Sequence, residues 1–229
     1  MHMLLLKSFV TSYLQRTLLI MGSNVGKPQN QDGHITNQFE TMAALRVWLI
    51  EQGIDVNMWG QGSTKSLEDL WHELICGDSC LQLKPPMRRV HVAQVLIWKH
   101  GRILIESVQE FGSGRRRFRN QVPSEKMKTG ESYYQAATRC LQEELGISSG
   151  QIVFKELTYS EVEVMTDSPS YPGLPSQYIF HRMEAEVRGL PDENFWHENV
   201  SYLDGDPIKR HFWAWQKSTG NAPGFPALH

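Results

Sequence analysis

The sequence predicts a layered α/β domain built on a mixed sheet, with a small helical extension on its N-terminal side. Two observations predict it. Runs rich in Val and Ile flank one strongly helical segment, so strands precede and follow a single central helix. Ahead of them, residues 37–77 show helical spacing in two short stretches with too few apolar residues to stand alone. The chain's 229 residues are enough for one good-sized domain plus such an extension. The chain is expected to divide into a flexible or targeting segment and linker (1–36), a helical extension (37–84) and the main domain (85–229).

The elements follow in chain order. Residues 22–36 are rich in Gly, Asn and Gln and read as a linker. From Phe39 to Gln52, Met42, Leu45, Leu49 and Ile50 fit one helical face, and Gly53 is a stop. Val56 to Thr64 reads as a loop. Ser66 with Asp69 three residues on caps a helix carrying Leu67, Leu70, Trp71 and Leu74, which ends near Gly77. Residues 80–83 form a short strand before Pro85 and Pro86. Arg88–Trp98 and Arg102–Gln109 form a hairpin about Gly101, with His91 and Gln94 interrupting the first arm. Arg115–Val122 is basic and partly extended. Ser132–Leu145 is a helix closed by Gly146. Gln151–Met165 and Gln177–Val187 are strands, separated by a proline-containing loop. The region after Leu190 is loop-rich until a short aromatic element at His211–Gln216.

Composition narrows the class. With 40% hydrophobic and 21% charged residues, the chain reads as globular, and a net charge of −2 gives no global attraction to polyanions. No apolar run reaches the ~18 residues of a membrane span. Three cysteines, Cys76, Cys80 and Cys140, point to a reducing compartment rather than a disulfide scaffold. His72, Cys76 and Cys80 have metal-like spacing, but Gly77 separates them and no fourth ligand is near. Residues 1–31 carry Lys7, Arg16 and Lys27 and no acid before Asp32, the composition of an organelle transit peptide. The expected location is therefore mitochondrial or another organelle if that segment targets the chain, and cytoplasmic otherwise.

The segment with chemical content is Pro123–Ile147. At ~100° per residue, Cys140, Glu143 and Glu144 share one third of the helix circumference, and Glu131 stands just before it. Crowded carboxylates repel unless a cation joins them, and hard oxygen donors suit Mg²⁺ or Mn²⁺. The alternative reading is an exposed acidic helix end with Arg139 pairing to Glu143 at i,i+4.

This stretch resembles the Nudix box, G-x5-E-x7-R-E-U-x-E-E-x-G-U with U aliphatic. Glu131, Arg139, Leu141, Glu143, Glu144, Gly146 and Ile147 match, seven of nine constrained positions over 23 residues. The resemblance covers roughly residues 88–216. It implies a Nudix-type α/β/α layered fold with a mixed sheet. It also implies hydrolysis of the diphosphate in a nucleoside diphosphate linked to another moiety, with Mg²⁺ or Mn²⁺ as cofactor. Glu131, Arg139, Glu143 and Glu144 are the implied catalytic set, and Glu131, Glu143 and Glu144 the implied metal ligands.

Two positions depart. Glu125 stands at the opening Gly, and Cys140 replaces the Glu after the motif arginine. A cysteine supplies no hard oxygen. Three readings follow. Glu125 leans in as a replacement ligand; a base comes from Glu161, Glu163, Glu184 or Glu186; or the site binds without cleaving. The last makes the protein an inactive module for nucleotide or RNA within a larger organelle assembly.

From Gly112 to Lys128 there are six basic residues and one acidic residue. Arg115, Arg116, Arg117, Arg119 and Lys126 are accordingly read as phosphate-binding, since guanidinium groups match phosphate oxygens. The expected ligand is a small molecule of the nucleotide diphosphate type, an RNA 5′ end being the alternative. Trp196, Phe212, Trp213 and Trp215 read as core or sheet-closing aromatics.

Overall fold

The structure, a computed structural model, describes residues 39–217. The targeting segment and linker expected over residues 1–36 lie outside the described residues. Two short helices come first, α1 (Met42–Glu51) and α2 (Leu67–Cys76). Thr41 caps α1 by accepting from the Ala44 amide. In α2, Ser66 and Asp69 cap each other's backbone amides, and Gly77 closes the helix at φ 75°. The expected loop between them contains one 3-10 turn, Val56–Met58.

Nine strands follow: β1 (Cys80–Leu83), β2 (Pro86–Lys99), β3 (Arg102–Phe111), β4 (Arg116–Gln121), β5 (Ser124–Lys126), β6 (Ile152–Asp167), β7 (Pro175–Val187), β8 (Phe195–Glu198) and β9 (Ile208–Lys217). A third helix, α3 (Tyr133–Leu145), lies between β5 and β6. The sheet runs β6-β7-β2-β3-β9-β8, with β1 and β5 beside β2 and β4 beside β3. β2 and β7 are parallel and the other pairs antiparallel, so the sheet is mixed. This is the layered α/β arrangement expected from the strand–helix–strand order. Two details differ. The loop-rich stretch after Leu190 contains β8, and the terminal aromatic element is a ten-residue strand. Pairing with β9 makes a strand of Phe195–Glu198, a segment too short to show a period.

One core lies between α3 and the sheet. Ala136, Ala137, Leu141 and Leu145 meet Ala93, Val95, Ile97, Leu104, Met183 and Trp213. The two alanines bring the helix backbone close to the strands. His91 and Gln94, which seemed to interrupt β2, are accommodated by side-chain partners: His181 for His91, and Ser124 and Arg182 for Gln94.

A second core joins α1 and α2 to the β6–β7 loop. Leu45, Leu49, Leu70 and Leu74 pack with Tyr171 and Leu174. Each such buried side chain contributes about 1.5–3 kcal/mol. Polar contacts hold the same junction. Glu73 of α2 is buried and binds Arg88, Lys65 and Lys126. Thus the helical pair is anchored both to β2 and to the loop entering α3.

Candidate active site

The loop from Lys126 to Glu131 and the helix behind it carry the acidic residues. Ser132 and Gln135 form a capping box at the start of α3, which sets the direction of the helix. Arg139, two turns in, reaches back to the loop. Its Nε and Nη2 donate to the two oxygens of Glu131 at 3.1 and 3.0 Å, and Nη2 also donates to the Lys126 carbonyl at 2.8 Å. Its Nη1 lies 3.4 Å from Glu125 and 3.8 Å from Glu143. One guanidinium therefore faces three carboxylates. Burial alone would raise the Glu131 carboxyl, but hydrogen bonds from Arg139 and the Lys128 amide hold it below the usual range.

Behind this clamp the balance reverses. Cys140 is fully buried, and its Sγ lies 3.8 Å from Glu144 Oε2. Burial pushes the thiol well up, with Glu144, Glu125 and Glu106 adding to it. Glu144 is pushed well up by burial and then by Glu106 and Glu125. Glu125 is raised by burial, with Arg139 opposing and Glu143 adding. These are carboxylates short of positive charge.

Glu106 of β3 belongs to this group, although the sequence reading passed over it. Its side chain is buried. Oε1 accepts from Gln109 Nε2 at 2.6 Å and meets His211 Nδ1 at 2.5 Å, while Oε2 lies 2.7 Å from Arg119 Nε. In the sequence Glu106 looks like one polar residue ending an apolar run. The available signal was that Ile103, Leu104 and Ile105 are apolar at consecutive positions, which marks a strand buried on both faces. A Glu continuing such a strand is buried as well.

The arginine run divides by strand alternation. Arg117 donates from Nε to Gln109 at 2.9 Å, and Arg119 meets Glu106, so both turn toward the acidic group. Arg115 stacks on Phe111 at 4.1 Å, and Arg117 lies 5.6 Å from the same ring. Arg116 goes the other way. It binds Glu110 at 2.9 Å and lies over Trp196, on which Arg210 also stacks at 4.4 Å. Lys126 is also directed elsewhere, with Nζ 3.2 Å from Glu73. Of the five expected phosphate-binding cations, Arg117 and Arg119 turn toward the acidic group, Arg115 stacks on Phe111, and Arg116 and Lys126 are engaged elsewhere.

The strand glutamates weighed as substitute bases have partners on β6 and β7. Glu161 takes Tyr159 and His181, Glu163 accepts from Gln177, and Glu184 and Glu186 lie near Lys155. Trp213 and Trp215 are buried in the core, whereas Trp196 stacks on Phe212 with ring centroids 5.1 Å apart. His72 and Cys76 touch at 3.3 Å.

The donor set fits a hard divalent cation in chemistry and charge. Glu125, Glu143 and Glu144 offer carboxylate oxygens, and mutual repulsion between them falls when a cation binds. As the side chains stand, no three His, Cys, Asp or Glu among the described residues converge on one point. Glu143 is 42% exposed and Glu125 27%, which leaves both room to turn. Glu131 has both oxygens held by Arg139 and the Lys128 amide.

The family model described as NUDIX domain matches residues 87–215, more than half of the chain. Among solved structures, a C. elegans Ap4A hydrolase in a binary complex aligns with TM-score 0.33 and 16% identity, over 56% of this chain and 80% of that one. The C. elegans Ap4A hydrolase aligns with TM-score 0.29 and 19% identity over the same shares. An ADP compounds hydrolase aligns with TM-score 0.27 and 17% identity, over 56% of this chain and 62% of that one. No curated protein matches.

Proposed function

Since the chain belongs to the NUDIX domain family, we propose that it hydrolyses the diphosphate bond of nucleoside diphosphates linked to another moiety, with a divalent cation, Mg²⁺ or Mn²⁺. The observation that carries this is the Arg139 clamp, which faces Glu131, Glu125 and Glu143 at the start of the helix bearing Glu144. An acidic group this crowded has a physical use when cationic charge joins it.

Glu125, Glu143 and Glu144 would hold the cation, with Glu131 setting Arg139 rather than binding metal. The cation, when bound, supplies Lewis-acid neutralisation of the diphosphate charge. Arg139 orients the carboxylates through two contacts to Glu131 and one each to Glu125 and Glu143. Arg117 and Arg119 supply donors for phosphate oxygens on the face that already meets Glu106 and Gln109, with Arg115 beside Arg117 on the Phe111 ring. Burial raises the Glu144 and Glu125 carboxyls above the usual carboxylate range, a cost of their charged forms that a bound cation would offset.

The experiment is hydrolysis of a panel of ADP-linked compounds and dinucleoside polyphosphates with added Mg²⁺ or Mn²⁺, comparing wild type with Glu144→Gln. Turnover that Glu144→Gln removes supports the proposal. Ligand binding with no turnover on any member of the panel supports a second reading, a binding module. Cys140 is the observation that favours that second reading, because a buried thiol with a raised pKa serves neither as hard ligand nor as base.

A further inference from the structure

The helix lacks a carboxylate at Cys140, and a buried carboxylate faces it from the sheet. We propose that Glu106 of β3 supplies across the cleft the acidic group missing at Cys140, completing the set that holds the divalent cation. This rests on the hydrolase reading above and names a further residue of that site.

Placement carries the argument. Leu104 packs under α3 against Leu141 and Trp213. Glu106 is two residues on, hence on the same face of β3, and is paired in register with Trp213. Its carboxylate thus lies beneath the helix row containing Cys140 and Glu144. Both residues feel its charge.

The other buried glutamates of the described residues differ in kind. Glu73 is matched by Lys65, Arg88 and Lys126, and Glu110 by Arg116 and Arg210. Those two are neutralised where they stand. Glu106 contacts one guanidinium, Arg119, and Arg117 feels its charge; His211 and Gln109 are its further partners. Its three contacts occupy three of about four acceptor positions on a carboxylate, leaving one for a cation. The Arg119 Nε contact is ionic without directed hydrogen-bond geometry, so Oε2 is the less committed oxygen. His211 and Gln109 both hold Oε1, which fixes the orientation of the group as ligand-holding partners do.

The test is calorimetric titration of Mn²⁺ into the full chain for wild type, Glu106→Gln, Cys140→Glu and the double variant. Glu106→Gln should weaken Mn²⁺ by about tenfold or more, and Cys140→Glu in that background should restore it to within about threefold. Cys140→Glu alone should change affinity by less than about threefold, because the role is already filled. A natively melting Glu106→Gln with wild-type affinity overturns the assignment. So does a tenfold gain from Cys140→Glu alone, an arm that stands even if Glu106→Gln fails to fold. Hydrolysis by wild type with Mn²⁺ affinity indifferent to Glu106 removes this inference and leaves the function. Mn²⁺ binding that needs Glu106, in a protein without turnover, removes the hydrolase reading and leaves this one. Absence of Mn²⁺ binding by wild type removes this assignment and the metal dependence together.

Discussion

Arg88 of β2 donates to Glu73 of α2 from Nε at 2.9 Å and from Nη2 at 2.5 Å, both to the same carboxylate oxygen. Lys126 reaches the other oxygen of that carboxylate, and Lys126 opens the loop that carries Glu131. The helical pair and the candidate site therefore share one buried anion.

That anion makes the fold acid-sensitive. Burial alone would raise Glu73, but Arg88, Lys126 and Lys65 outweigh it and hold the carboxyl at about 2. A carboxyl depressed on folding contributes stability above its unfolded value near 4.5, lost as pH falls from there to about 2. The loss is on the order of 3 kcal/mol. Denaturant unfolding between pH 7 and pH 3 should show about 2 kcal/mol of it, and Glu73→Gln should be less stable at pH 7 with a flatter acid limb. An acid limb of unchanged slope in Glu73→Gln would count against the assignment.

A second acid effect lies on β7. Tyr159 and His91 contact the two ring nitrogens of His181, and burial lowers its pKa to about 4, with Glu161 opposing and His91 adding. Between pH 6.5 and 4 the unfolded chain binds the extra proton, so stability falls as pH drops through that window. At pH 5 the loss is about 2 kcal/mol relative to pH 8. In His181→Gln the difference in stability between pH 8 and pH 5 should shrink by that amount. Equal pH dependence in the two proteins would show that His181 titrates normally.

The division of the arginine run gives a kinetic prediction. Arg115→Ala and Arg117→Ala should raise KM for a diphosphate substrate by about 5–50-fold, with weakened salt dependence. Arg116→Ala, on the Glu110 and Trp196 side, should leave KM within about twofold. Equal effects at positions 116 and 117 would mean that substrate does not lie on the Glu106 side of β4.

Gly77 tests whether α2 positions the acidic loop. Its φ is +75°, and an added Cβ would lie 3.0 Å from the Thr129 nitrogen and 3.2 Å from Thr129 Cβ. Gly77→Ala should cost about 1–3 kcal/mol and lower turnover, because Thr129 must move and Glu131 follows two residues on. Gly53→Ala has a similar φ of +78° but open space around it. It should lose stability and keep its turnover. Turnover falling alike in both variants would remove the loop-positioning argument.

Much of this molecule is legible in its sequence. Ser66 with Asp69, Ser132 with Gln135, and the glycines at 77 and 146 announce the helix ends, because capping is local chemistry between residues three or four apart. The runs of Val, Ile and Leu announce β2 and β3. The spacing of Glu131, Arg139, Glu143 and Glu144 announces the acidic helix, because eight residues bring Arg139 back over the loop. The partition of the arginines was legible in principle from alternation, but only once Arg116–Gln121 was known to pair with β3.

What the sequence determined by itself is thus the local part: helix ends, strand runs, and the row of carboxylates on one helix. Tertiary structure alone decided that Glu106 lies under that row, that Lys126 belongs to Glu73, and that His211 of the last strand holds a carboxylate of the second hairpin arm. Those pairs are separated by 34 to 105 residues. Their contacts come from strand order, and strand order is set by which apolar faces bury together rather than by any one residue's preference.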